Sequence, residues 1–285
     1  MRLATYMLPG GAPLAGVILE EKLFGLAPAG FSDTLQVIRG GAAAAAAITS
    51  YLAGAPAAAA VALKDVVLLA PIPKPGKIVC VGLNYRDHAA ESKSEIPSVP
   101  TLFSKFSNAI TGPGAPVVLP KAVQKPDYEA EFAFIIGTGG RNIAAADWRK
   151  HIYGYMCLND VSARDLQKAT SQWLVGKTCD TFAPCGPWIT TADEVGDPHN
   201  LRIEMEINGE TLQNSNTREM IFQIPALIEY LSAVVTLEAG DIVSTGTPAG
   251  VGFARTPRRW LRPGDQMVVR IEGLGELCNP VVAEA

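Results

Sequence analysis

Positive charge is scarce in this 285-residue chain: 24 Lys and Arg stand against 28 Asp and Glu, a formal net charge of −4. No basic block occurs, which argues against a nucleic-acid binder and its Lys/Arg footprint. Charged residues of both signs make up only 18%, too few for a disordered or supercharged chain. No apolar run reaches membrane-spanning length, because Gly54 and Pro56 break the Ala-rich stretch 42–63. The opening MRLATYMLPGG has no continuous apolar core of the signal-peptide kind, so the expected location is the cytoplasm. No CxxC occurs, and the five scattered cysteines (80, 157, 179, 185 and 278) read as reduced packing residues. A Gly-x-Ser-x-Gly elbow is missing and no cysteine has a suggestive histidine partner, which sets serine and cysteine nucleophiles aside. GTGG at 137–140 lacks the spacing and helix context of a dinucleotide fingerprint.

What is present is a core and many turns. Hydrophobic residues make up 48%, and 27 Gly with 21 Pro suit a mostly β (α+β) fold with long shaping loops. Residues 2–7, 14–20 and 23–28 are short strand candidates, and 42–53 is helical by propensity. We read 1–70 as a small N-terminal α+β domain packed on the main body, with PIPKPG (71–76) as the boundary and 71–285 as the main domain. In that main domain 77–85 reads as a buried strand, 86–95 as a short polar helix, 145–156 as the start of a helix with Asp147 as a possible cap, and 220–237 as an amphipathic helix with Pro225 in its first turn or kinking it. Asn208–Gly209 marks a hairpin turn.

The chemistry centres on Asp127 to Lys177. Glu129 and Glu131 head an apolar run two residues apart, so on a strand both carboxylates face one way, about 6.6 Å apart along the backbone. Such a pair repels itself unless a positive charge lies between, and a bound cation is the simplest remedy. Asp160, at the end of another apolar segment, is a third candidate ligand. Glu204 and Glu206 share the spacing, yet their alternation explains them as a solvated face. Three oxygen ligands with no Cys/His set nearby suit Mg²⁺, Mn²⁺ or Ca²⁺ rather than zinc, and a Lewis-acid site for a chelating α-keto acid. His88 and Glu91, three apart on one helical face, can act as a base and its orienting partner. Lys177 is a polar island in apolar surroundings, and the STGTP segment at 244–248 offers hydroxyls and amides that can cradle an oxyanion.

Seven segments taken in order resemble the motifs of the fumarylacetoacetate hydrolase family, especially its shorter bacterial acylpyruvate hydrolases. They are GLNYRDHAAE (82–91), FSKFSNAITGPG (103–114), DYEAEFAFIIG (127–137), NDVSARDLQ (159–167), GKTCDTFAPCGPWI (176–189), NGE…QNSNTREMIF (208–222) and LEAGDIVSTGTPAGVG (237–252). The resemblance covers about 74–280 and implies a fold of rolled mixed β-sheets with a variable N-terminal domain, and a homodimer. It implies Glu129, Glu131 and Asp160 as ligands of Mg²⁺ or Mn²⁺, and His88 with Glu91 as a water-activating dyad on a lid helix. Lys177 and Thr247 match site residues that stabilise oxyanion charge. Arg164 and Gln167 match residues on the substrate side, Lys105 and Ser107 lie beside the site, Asp180 stands behind it and Cys179 lines the pocket. The implied activity is metal-dependent hydrolysis of the C3–C4 bond of a 2,4-diketo acid, such as an acylpyruvate or a 2,4-diketo-3-deoxy sugar acid, to pyruvate and a carboxylic acid. The alternative on the same site is oxaloacetate decarboxylation or tautomerisation, or isomerisation of a 2-hydroxy-dienoate. The partner in each case is a small 2-keto or 2,4-diketo acid, with neither nucleic acid nor membrane involved.

Overall fold

A computed structural model describes residues 1–285. Its centre is the strand Ala130–Ile136, buried at every position. Alternation sends Phe132, Phe134 and Ile136 into one core and Ala133 and Ile135 into another. A strand covered on both faces requires an unbroken apolar run, and AEFAFII supplies one below its single acid.

Ile152–Asn159 and Ile242–Ser244 flank this strand, both antiparallel to it. Ile242–Ser244 runs parallel to Ile78–Gly82, which carries the edge strand Thr101–Ser104. On the other side Ile152–Asn159 pairs with Ala183–Thr191, and that strand bonds directly to Arg2–Met7. The strands of residues 1–70 therefore extend the main sheet, which has twelve strands in all. A second, five-stranded sheet closes over the first, in the order Glu210–Asn216, Arg202–Ile207, Gln266–Ile271, Gly275–Ala283, Val117–Leu119. Its inward residues Ile203, Met205, Met267 and Val269 join Phe132 and Phe134 in one core. The architecture is mixed and mostly β. Asn208 and Gly209 turn its first hairpin with φ of 54° and 84°, the paired positive values of a type I′ turn. Glu204 and Glu206 point outward to Arg202 and Arg270, as ordinary alternation demands.

The helices are bounded differently than the sequence suggests. Thr34–Gly54 starts well before residue 42, capped by Asp33, whose carboxylate accepts from Gln36 N at 2.9 Å, and it breaks at Gly41. It packs Val37, Ile38 and Ile48 against Leu3 and Val17. The expected helix over 145–156 is a 3-10 segment, Ala145–His151, followed at once by strand. Asp147 caps nothing there and instead bonds Lys150. Ile152–Asn159 carries Ile152, Tyr153, Gly154 and Tyr155, poor helix formers, and pairs on both sides as a strand. The polar segment 86–95 is helical only over Arg86–Glu91, and Ile224–Ser232 takes Pro225 in its first turn. Among the described residues no helix is long and apolar enough to cross a membrane.

Candidate metal centre and active site

The sheet delivers its acids to one point. Glu129 immediately precedes the central strand and Glu131 is its second residue, while Asp160 follows the neighbouring Ile152–Asn159. Two bonds lock these ends together: Asp160 N donates to Glu129 O, and Glu129 N donates to Asn159 Oδ1, at 2.9 and 3.0 Å. Glu129, Glu131 and Asp160 are all buried, and each offers an oxygen within 4.8 Å of the others.

Their cation partners are unevenly shared. Lys177 Nζ donates to Glu129 Oε2 and Asp160 Oδ2, both at 2.6 Å. Lys105 Nζ bonds Asp160 Oδ1 and also Val161 O. Arg164 reaches Glu129 Oε1 at 2.6 Å through Nη2 and Asp127 Oδ2 at 2.8 Å through Nε. Glu131 has no cation: its Oε2 accepts from Ser244 Oγ and Gly246 N, at 2.5 and 3.0 Å. Gly246 sits at φ +94°, a conformation that an L side chain rarely adopts, so glycine there aims the amide at the carboxylate.

The titration behaviour follows. Burial alone would raise the Glu129 carboxyl, but Arg164 and Lys177 hold it well below the usual carboxylate range. Burial, and then the charges of Asp160 and Glu129, push Glu131 up to about 8. Burial works against the charge on Lys177, yet Asp160 and Glu129 outweigh it and raise its pKa. Four buried carboxylates (Asp127, Glu129, Glu131, Asp160) face three buried cations (Lys105, Arg164, Lys177), and Glu131 is the one left without a positive partner. An all-oxygen donor set in which one carboxyl lacks a cation fits a hard divalent ion, which would supply that partner.

A cavity of about 240 Å³ opens onto this cluster. Glu129, Glu131, Lys177, Arg164 and Gln167 line it together with His88 and Thr247. His88, 8% exposed, has a buried Nδ1 without a hydrogen-bond partner, 3.6 Å from Glu91 Oε2. Thr247 donates to Ala130 O and accepts from Gln213 Nε2, which fixes its hydroxyl against the strand. Gly176 lets the turn before Lys177 press onto Gln167, since a Cβ there would fall within 2.6 Å of Gln167 Cα.

The structure therefore gathers His88, Glu91, Glu129, Glu131, Asp160, Arg164, Gln167, Lys177 and Thr247 around one site. Lys105 serves the cluster from behind and is absent from the cavity lining. Ser107 stands apart, exposed in a 3-10 turn beside a separate surface hollow with Lys77 and Val235. Asp180 is exposed and bonds Asn108, and Cys179 does not line the cavity. The amide of the STGTP segment at Gly246, read as an oxyanion cradle, is taken up by Glu131 itself.

Several contributors carried no local signal. Asp127 accepts from Arg164 Nε, Gly252 N and Phe253 N, tying the 250–253 loop to the cluster. Phe253 meets His88 edge-on at 6.5 Å between centroids, and Phe103 and Trp173 form a further wall. Phe253 lies far from the acids in sequence, and of the three aromatics only Phe103 falls within a family-like segment.

The fumarylacetoacetate (FAA) hydrolase C-terminal family matches residues 77–282, and the chain belongs to that family. It is 48% identical over 220 residues to oxaloacetate tautomerase fahd2, mitochondrial, of Xenopus laevis, across 76% of this chain and 69% of that relative. Among solved structures it matches maleylpyruvate hydrolase from Sphingobium sp. SYK-6, in complex with manganese(II) and pyruvate, with TM-score 0.85 and 34% identity over 100% of both chains. A fumarylacetoacetate hydrolase from psychrophilic Exiguobacterium antarcticum matches with TM-score 0.86 and 36% identity, again over 100% of both.

Proposed function

We propose that this chain is a metal-dependent enzyme that moves a proton at C3 of a 2-keto acid, with keto–enol tautomerisation of oxaloacetate as its reaction. One observation carries the reading: His88 sits at a cavity wall with an unpaired, buried Nδ1, beside a carboxylate triad suited to Mg²⁺ or Mn²⁺. The 48% identity to a relative named an oxaloacetate tautomerase supports it. Held by Glu129, Glu131 and Asp160, the divalent ion supplies a Lewis acid that makes the C3 protons of a bound keto acid more acidic. Glu91 draws the Nδ1 proton of His88, which leaves Nε2 to take the proton from C3 as the C3–H bond breaks and to deliver it to the C2 oxygen. The enol-to-keto direction reverses both transfers. Lys177 spends two N–H bonds on Glu129 and Asp160 and has a third to offer developing oxyanion charge. Phe103, Trp173 and Phe253 shield the exchange from water.

The second reading is the C3–C4 hydrolysis of an acylpyruvate, favoured by the full-length match to maleylpyruvate hydrolase. There His88 would take its proton from water rather than from C3. Following the oxaloacetate enol by its absorbance, and pyruvate release from a panel of acylpyruvates, both with Mg²⁺ and with EDTA, separates the two. Rapid enol conversion without pyruvate release supports tautomerisation, and metal-dependent pyruvate release from an acylpyruvate overturns it. A homodimer and a cytoplasmic location belong to the same proposal. The unpaired edge strand Thr101–Ser104, with Leu102 and Phe106 exposed nearby, supports association of copies, and light scattering tests it.

A further inference from the structure

Most of the positive charge around the cavity is already committed. Lys177 bridges Glu129 and Asp160, while Arg164 is divided among Asp127, Glu129 and Gln167. Lys168 is different. It follows the short helix Arg164–Gln167, lines the cavity, and among the described residues forms no ion pair with a carboxylate. Its Nζ lies 4.5 Å from the centre of the Phe253 ring, which also takes the Arg164 guanidinium at 4.9 Å. Phe253 is itself pinned by its N–H to Asp127, so the ammonium rests on a positioned platform.

The surroundings of Lys168 are of its own sign. Burial, then the charges of Arg164, Arg258 and Lys125, hold its amine below the ordinary lysine range. Asp127 is the acid that pulls on it most, and both Asp127 oxygens are already occupied by Arg164, Gly252 and Phe253. The protein thus leaves an unmatched cation on the wall of the cavity that Glu129 and Glu131 also line. Ser94 lines the same cavity and adds a hydroxyl. An anionic group brought in by the ligand would satisfy this arrangement.

We propose that Lys168 is a specificity-determining residue that binds a second, distal carboxylate, so that the cavity prefers 2-keto dicarboxylates over neutral or monocarboxylate analogues. This rests on the keto-acid reading above, and the experiment separates the two. The full-length chain, loaded with Mg²⁺, is titrated at low salt with oxaloacetate and with its 4-amide, 2-oxosuccinamate, binding being read from tryptophan fluorescence because Trp173 lines the cavity. The two ligands differ in the distal charge and scarcely in shape. Wild type is expected to bind oxaloacetate about five- to tenfold more tightly than the amide. Lys168→Gln should erase that gap by weakening oxaloacetate alone, and Lys168→Arg should keep it. Equal affinities in wild type, a gap that survives Lys168→Gln, or equal weakening of both ligands would each overturn the role of Lys168. Binding of neither ligand to the metal-loaded wild type would instead sink the keto-acid reading, and this inference with it.

Discussion

Gly250 donates its N–H to both oxygens of Glu91, at 3.1 and 2.9 Å, whereas His88 Nδ1 stops 3.6 Å short of the same carboxylate. Glu91 is thus anchored to the loop that follows Thr247 before it engages histidine. Burial would raise its carboxyl, but His88 and the Gly250 amide hold it below the usual range, so it stays ionised and able to orient the imidazole.

His88→Ala should therefore lower kcat for oxaloacetate tautomerisation by about 10²–10⁴-fold, the range of a lost general base. Mg²⁺ affinity should change little, because His88 is not among the carboxylates that converge. Stopped-flow absorbance and calorimetric Mg²⁺ titration measure the two effects. Unchanged turnover, or metal affinity lost in parallel, would remove His88 from the role assigned to it.

Lys177 neutralises two of the three converging acids at 2.6 Å from each. Lys177→Met leaves Glu129 with Arg164 alone and Asp160 with Lys105 alone in a buried site, and the metal-free protein should lose about 3 kcal/mol of stability, the low end for a broken buried pair. Saturating Mg²⁺ should restore part of that loss, since an ion that binds only the folded state supplies the missing charge and stabilises by mass action. Urea denaturation with EDTA and with Mg²⁺ makes the comparison. A variant as stable as wild type in EDTA would show that the ion network does not hold the cluster.

Glu131 poses the opposite case, having only Ser244 and Gly246 for partners. Glu131→Gln keeps the shape and removes no ion pair, so stability without metal should shift by less than about 1 kcal/mol. Metal affinity should fall by about 100-fold or more, beyond the usual effect of disturbing a group behind a ligand. Calorimetry with Mg²⁺ and Mn²⁺ checks it, and unaltered affinity would rule Glu131 out as a ligand.

The contrast between Glu131 and Asp127 shows what a local pattern conveys. Asp127, Glu129 and Glu131 share one spacing, and two of them line the cavity while Asp127 holds Gly252 and Phe253 from more than a hundred residues away. Spacing fixes which face a side chain takes but not what the chain later brings to that face. The triad was legible because strand alternation and the ordered motifs are near-neighbour properties. Trp173, Phe253 and Lys168 were not, since their neighbours are set by loop closure between distant elements. Ser107 errs in the other direction: two residues from the buried Lys105, it falls on the exposed side of a 3-10 turn. The 145–156 segment divides at Ile152, where β-forming Ile152, Tyr153 and Tyr155 begin a strand paired on both sides.

Away from the site, Asp265 ties the second sheet together. Its Oδ1 accepts from Asn208 Nδ2 at 2.9 Å and Arg259 Nη2 at 2.7 Å, and its Oδ2 accepts from Arg262 N at 2.8 Å. Burial would raise the carboxyl, but the Arg259 bond, the Arg262 amide and Asn208 together lower it. A folded-state pKa below the unfolded value means that the unfolded chain binds the proton first as pH falls. The contribution is then complete above the ordinary aspartate value of about 3.9 and is lost as pH drops through the lowered one. Asp265→Asn should cost about 1–3 kcal/mol near neutrality, the worth of hydrogen bonds to a charged group. The gap to wild type should stay level down to about pH 4 and narrow below it. Urea denaturation of both proteins across that range measures it, and a gap that persists unchanged into strong acid would show that packing, not the charge, is what Asp265 contributes.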